Sequence, residues 1–339
     1  MEQPIEPSIA ILLIWMLVYI YSMAGSIDFG ASFWAMIFNK KKTKAGQVAN
    51  RFLSPTWEVT NTILVLLVVT VVGFFPKAAF MLGTVLLVPV SIILLLITLR
   101  STFLVLAYSA EGSAKGLRIV SGITGLFVPA LLISALPVTE GGFIRETGGQ
   151  IILLFDKWLT SPSVYLYMLF GLASELFLSS LFLADYSGES SDPEAYAMYR
   201  KQAIWLGPVA IAAAVLTLFF LEPEAGWLLR GIGEQLNLFA LSMACFLIGY
   251  FFLWWRGGRV RVSIIFIFLQ YAFATFAYGI AHLPYMVYPY LTVGEAFTNI
   301  NTFYSLLKIL GAGIALLLPG FLIFWRFFLK DKRYLQNQE

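Results

Sequence analysis

Along the chain, apolar runs of about 20 to 30 residues alternate with short polar segments, and nine such runs stand out. About 20 apolar residues is the length an α-helix needs to cross a bilayer. The runs are Ser8 to Phe38, Trp57 to Phe75, Ala79 to Tyr108, Leu117 to Leu136, Pro162 to Ala184, Gln202 to Leu221, Leu236 to Trp255, Val262 to Ala281 and Thr302 to Phe328. The pattern predicts an all-α polytopic membrane protein with nine transmembrane helices. The first and third runs reach about 30 residues, or roughly 45 Å at 1.5 Å per residue, against a hydrocarbon core of about 30 Å. Both are expected to tilt or bend, with Gly25 and Gly30 in the first and Pro89 in the third as bend points. Ser54 and Pro55 suit the start of the second helix.

Composition agrees with this reading and charge orients it. Hydrophobic residues make up 60% of the 339 and charged residues 12%, about half the share in a soluble domain. Sixteen of the 22 Lys and Arg fall in segments on one side of the membrane, including Lys40, Lys41, Lys42, Lys44, Arg51, Arg200, Arg256, Arg261, Arg326 and Arg333; Lys77, Arg145, Lys157 and Arg230 fall on the other. The positive-inside rule then puts the N-terminus outside and the C-terminus in the cytoplasm. Basic residues spread this way serve topology, so the net charge of +3 gives no reason to expect nucleic acid. No Lys or Arg precedes the first run, so a cleaved leader is not expected. The spans group as a first four-helix bundle (1–137), an extracytoplasmic loop (138–161), a second four-helix bundle (162–284), another outer loop (285–301), and a peripheral ninth helix with a basic cytoplasmic tail (302–339).

Charge inside the spans carries the chemistry. Asp28 lies in the first run, Glu58 opens the second and Arg100 sits in the third. Such residues are costly in hydrocarbon, so they face a bundle interior and mark ion or proton pathways. By helical rise, Asp28 lies roughly 15 Å and Arg100 roughly 12 Å above the cytoplasmic end. Asn61 and Thr62 share the Glu58 face at i+3 and i+4. Asp28, Glu58, Asn61 and Thr62 are therefore proton-pathway candidates. Other readings stay open: Arg100 either pairs with Asp28 as a structural partner or snorkels along its own stem, and Glu58 can sit in the headgroups as a helix-dipole partner. Glu175, at mid-depth in the fifth run among Ser174, Ser179 and Ser180, is either a neutral acid bonded to a neighbouring helix or part of a pathway. His282 is the one histidine and Cys245 the one cysteine. Together they furnish no haem ligand pair and no cysteine cluster, so no cofactor or metal is expected on this chain itself.

Several motifs resemble subunit II of the cytochrome bd-type quinol oxidases. That family's Asp-Gly-Phe-Asp-x-Gly pattern reads here Gly25-Ser26-Ile27-Asp28-Phe29-Gly30, with the second acid and last glycine kept. Its Pro-x-Trp-Asp-Gly-Asn segment resembles Pro55-Thr56-Trp57-Glu58-Val59-Thr60-Asn61, and its Phe-Pro pair matches Phe75-Pro76. Leu99-Arg100-Ser101-Thr102-Phe103 is similar to the end of its third span, although the acid that often follows is replaced by Val105 and Leu106. Leu283-Pro284-Tyr285 through Tyr288-Pro289-Tyr290-Leu291-Thr292 resembles its last outer loop.

The resemblance implies a haem-free subunit in a prokaryotic cell membrane, paired with a subunit I that holds b-type haems and haem d or a b-type replacement. The complex would oxidise quinol and reduce dioxygen to water. This chain would support subunit I and supply cytoplasmic protons, with Asp28 and Glu58 as the matched residues. It also allows a structural quinone or lipid, and a very small accessory single-span subunit. The rival reading from buried carboxylates alone is a proton-coupled secondary transporter.

Overall fold

The computed structural model describes residues 5–40, 43–109, 114–148, 150–255 and 259–324. The first half comprises α1 (Glu6–Lys40), α2 (Lys44–Phe74), α3 (Pro76–Val85), α4 (Leu87–Ser109), α5 (Ala114–Ile133) and α6 (Leu136–Glu140), then strands β1 (Ile144–Thr147) and β2 (Gln150–Leu153) and α7 (Phe155–Thr160). The second half comprises α8 (Pro162–Glu189), α9 (Pro193–Phe219), α10 (Glu222–Glu234), α11 (Leu236–Trp254) and α12 (Val260–Ala281). It closes with strands β3 (Tyr285–Val287) and β4 (Leu291–Thr292), α13 (Val293–Ala296) and α14 (Ile300–Phe324). Among the described residues, nine helical stretches are long and apolar enough to span a membrane, as the sequence pattern predicts. Lys41, Lys42, Arg256, Arg326, Lys330, Lys332 and Arg333, which carry part of the orientation reading, lie outside the described residues, as does the ninth span beyond residue 324.

Three details depart from the sequence reading, each for a local reason. The second helix does not start at Ser54 and Pro55 but at Lys44, after Thr43 in extended conformation. Its added turns are amphipathic: Ala45, Val48, Ala49, Phe52 and Leu53 are buried at helical spacing while Lys44 and Gln47 are exposed. The polar half of that pattern hid the helix from a hydropathy reading. The Tyr199 hydroxyl of α9 donates to the Ala45 carbonyl at 2.7 Å and docks this segment. The third run is two helices, broken at Leu86, rather than one helix bent at Pro89. Pro89 has no N–H to give the Val85 carbonyl, so the ladder fails one turn before the proline itself. The first helix, in contrast, runs through Gly25 and Gly30 without a break.

The segments between α6 and α7 and between α12 and α13 are also structured. β1 and β2 form an antiparallel hairpin, and β3 and β4 pair antiparallel before α13. A capping box between Thr292 and Glu295 starts α13. The end of the bundle carrying these hairpins is called the hairpin end, and the opposite end the basic end. At the basic end, Arg200 donates to the carbonyls of Leu253, Trp254 and Trp255 at 2.9–3.1 Å, where α11 terminates. Arg261 pairs there with Asp185 at 3.3 Å and Glu189 at 2.6 Å.

The largest apolar core draws on α1, α2, α8, α9, α11 and α12, with Ile27, Trp34, Phe52, Phe177, Tyr199, Phe246 and Ile267 among its buried members. α14 is peripheral. It is exposed along most of its length and anchored by Phe303 against Phe74 and Phe297.

Candidate functional site

α1 carries Tyr21, Gly25, Asp28 and Ser32 at spacings of four, three and four residues, which line one helix face. That face meets α4 through Arg100 and α2 through Thr56, while Gly30, about 200° round the helix from Asp28, faces α8. Gly30 permits the closest approach: a Cβ there would lie 2.2 Å from the Ser179 Oγ and 2.9 Å from the Glu175 carbonyl. Gly125 does the same for α5, where a Cβ would lie 3.0 Å from the Phe29 carbonyl. The glycine that the sequence offered as a bend point is instead a contact point, because helix packing rather than backbone geometry needs its small size.

The close packing collects three charged groups away from solvent. Asp28 and Arg100 are each 1% exposed and Glu175 is 0% exposed. The Arg100 Nη2 lies 2.9 Å from the Asp28 Oδ2. It also donates to the Asp28 carbonyl at 3.3 Å and to the Ser32 Oγ at 2.7 Å. Its guanidinium carbon stands 4.6 Å from the centre of the Phe29 ring, a cation–π contact. Of the two readings open for Arg100, pairing is the one observed. The Thr56 hydroxyl of α2 donates to the Asp28 Oδ1 at 3.2 Å.

Glu175 lies across the α1–α8 contact from this pair: its carbonyl would be 2.9 Å from a Cβ at Gly30, two residues after Asp28, and it is near enough for Arg100 and Asp28 to influence it electrostatically. Neither of its carboxyl oxygens has a hydrogen-bond partner among the described residues. One turn on, the Ser179 hydroxyl donates to the Glu175 carbonyl at 2.7 Å and accepts from the Trp34 indole at 3.0 Å.

Glu58, Asn61 and Thr62 are not drawn into this centre. Glu58 and Thr62 are exposed and Asn61 half-buried. Thr56 and Glu58 are two residues apart, or about 200° around the helix, so the turn that aims Thr56 at Asp28 aims Glu58 away from it. The Thr62 hydroxyl donates to the Glu58 carbonyl at 2.9 Å, a bond local to α2. Thr56 and Ser32, the hydroxyls that do serve the centre, were not singled out from sequence. Their signal was present in the i+4 step from Asp28 to Ser32 and in the position of Thr56 inside the Pro-x-Trp motif.

A second buried acid went unnoticed because it closes the fourth span, where a loop was expected. Glu140 is 1% exposed, and its Oε1 accepts from the hydroxyls of Tyr167 on α8 and Tyr278 on α12. The Trp227 indole donates to its carbonyl at 2.8 Å and stacks on Tyr288 with ring centres 4.5 Å apart. His282 sits beside this assembly, 5.2 Å from the Trp227 ring, with Nδ1 2.9 Å from the Tyr285 carbonyl. Burial pushes the His282 imidazole below its usual range, against a smaller opposing effect of the backbone bonds. It is neutral at pH 7 and acts as packing.

With this geometry in hand, three comparisons can be set beside it. Residues 6–328 match the family model for cytochrome bd terminal oxidase subunit II. A protein of Bacillus subtilis (strain 168), provisionally named cytochrome bd menaquinol oxidase subunit II, is 44% identical over 347 residues covering the whole of both chains. The solved bd oxidase of Geobacillus thermodenitrificans contains a chain that superposes with a TM-score of 0.83 at 33% identity, covering 97% of this chain and 100% of that one.

Proposed function

The chain belongs to the cytochrome bd terminal oxidase subunit II family, and on that premise we propose that it delivers cytoplasmic protons, through Asp28, to a haem-bearing subunit I. Family membership makes it a multi-pass component of a respiratory quinol oxidase whose complex contains a subunit I and haem. It also displaces the transporter reading.

A haem does not fit the residues of this chain. Its one histidine packs edge-on against Trp227, with Nδ1 held at a backbone carbonyl. Among the described residues, no group of three or more His, Cys, Asp or Glu is placed to hold a metal. The haems, b-type with haem d or a b-type replacement, are therefore assigned to subunit I, where they supply the dioxygen chemistry. The quinol is taken to be menaquinol, from the name of the Bacillus relative. A structural quinone or lipid and a small accessory subunit remain compatible additions.

The basic end is assigned to the cytoplasm by the positive-inside rule. Asp28 then lies within reach of that side, and the Thr56 hydroxyl connects it to α2. The observation that carries the proposal is the buried Asp28 carboxylate, held ready by Arg100 and Thr56 rather than sealed in apolar packing. A carboxylate so held can take up a proton and release it without separating from its cation. Glu58, Asn61 and Thr62 enter the proposal as the outward part of α2, placed to meet subunit I or lipid headgroups and to gather protons at that junction.

The test is Asp28→Asn in the assembled oxidase. Quinol-driven oxygen consumption should fall about 10²-fold, the scale of one positioned proton-transfer group, with haem content unchanged. Wild-type turnover in an intact complex would refute the proposal.

A further inference from the structure

Two buried carboxyls in this bundle share a single guanidinium. Asp28 has the direct ion pair at 2.9 Å and the Thr56 hydroxyl. Among the described residues Glu175 has neither: both its oxygens lack a donor, and the Arg100 Nε and the Tyr21 hydroxyl are uncommitted as well. The charged groups that act on Glu175 are Asp28 from α1 and Arg100 from α4; Tyr21 of α1 faces that same pair, and Tyr271 of α12 lies beside Ser174. Tyr21 is neutral as a phenol, and so is Tyr271. Among the described residues, Arg100 alone brings positive charge to this centre, and it brings one unit. An uncompensated carboxylate inside a bilayer costs several kcal/mol, so the centre is electrically balanced when one carboxyl is ionised and the other carries a proton.

We infer that Glu175 is the proton-holding residue of this centre and the step that follows Asp28, an inference that rests on the reading of Asp28 as a point on the proton route. At rest the centre holds the Asp28 carboxylate, the Arg100 guanidinium and the Glu175 carboxylic acid, with a net charge of zero. A proton arriving from the cytoplasm forms an O–H bond on Asp28. The O–H bond of Glu175 breaks, and its proton leaves toward subunit I. The centre then holds the Asp28 acid, the same guanidinium and the Glu175 carboxylate, again with zero net charge. The uncommitted Arg100 Nε supplies a donor for the second arrangement without drawing on the bonds to Ser32 and the Asp28 carbonyl. Proton transfer from Asp28 to Glu175 resets the centre. One proton enters as one leaves, and with the two transfers coupled the centre keeps zero net charge.

The experiment is infrared difference spectroscopy on the purified complex, following the carbonyl stretch of protonated carboxylic acids and its shift in heavy water. Glu175→Gln should remove one such signal, Glu175→Asp should move it, and Asp28→Asn should weaken it, because Glu175 is then the acid left to balance Arg100. Turnover in Glu175→Gln should fall about 10²-fold at normal haem content, with recovery and a displaced pH profile in Glu175→Asp. If Glu175→Gln leaves the carboxylic-acid signal unchanged, the inference is overturned whatever Asp28 does. Loss of the signal without loss of turnover would likewise overturn the role of Glu175 in the route. Normal turnover in Asp28→Asn would instead overturn the route through Asp28, while the wild-type signal and its loss in Glu175→Gln still located the resting proton on Glu175. The conservative aspartate variant keeps the test open should the glutamine variant fail to assemble.

Discussion

The bundle buries carboxyl groups in two places, and the two differ in what points at them. At the hairpin end, one oxygen of Glu140 takes hydrogen bonds from two tyrosines on two different helices, and Trp227 holds its backbone carbonyl. The surrounding rings stack: Trp227 lies on Tyr288, and Tyr285 meets Tyr288 with centres 4.9 Å apart. At the Asp28 centre, a single arginine pairs with Asp28 and acts on Glu175 only through its charge, and among the described residues Glu175 has no donor for either oxygen. The first arrangement fixes α6, α8, α10, α12 and the segment holding β3 and β4 together. The second leaves a proton as the cheapest way to neutralise an acid. Burial of a carboxyl group is therefore a weak functional signal by itself. The ratio of donors to oxygens separates a clamp from a relay.

The largest effect expected is that of Arg100→Gln. It removes the cation from the Asp28 centre and leaves a buried charge unpaired, at a cost of about 3–5 kcal/mol. Yield of the co-purified complex should collapse. Adding Asp28→Asn to the same chain should restore yield but not turnover, which separates the structural role of the pair from its proton role. Equal yields in the single and double variants would show that the pair does not stabilise the bundle.

Glu140→Gln should act in the opposite sense. Two hydroxyls that donated to a carboxyl oxygen would donate to a neutral amide oxygen, with a loss of about 1.5–3 kcal/mol. Thermal unfolding should shift downward while turnover stays within about twofold. A large turnover defect without a shift in unfolding temperature would turn the clamp into a second functional centre. Smaller still should be Glu58→Gln. An exposed acid can be bypassed by water, so oxygen consumption should fall by less than about tenfold, and a loss matching that of Asp28→Asn would place Glu58 on the main route.

Much of this was legible in the sequence, and the boundary of what was legible is physical. The spans announce themselves because a bilayer demands a fixed apolar length. The first turns of α2 escaped because docking against α8 and α9 needs only one apolar face, and the polar face dilutes hydropathy. Pro89 was visible as a disruption, but the break falls at Leu86 because the missing N–H is felt one turn earlier. Asp28 and Arg100 stood out as charges in apolar runs, and pairing between them was one of two open readings. Which side of α2 faces inward was not readable, since both sides of that span are apolar, so Glu58 could not be told from Thr56. The partners of Glu140 are 27 and 138 residues away in the chain, and nothing in local periodicity links them.

The account turns on the Asp28 centre moving protons while the Glu140 centre holds structure. The most direct measurement compares quinol-driven oxygen consumption of Asp28→Asn and Glu140→Gln oxidases side by side, at matched haem content. The account predicts a fall of about 10²-fold in the first and a rate within about twofold of wild type in the second. Equal rates in the two variants, whether both normal or both impaired, would contradict it.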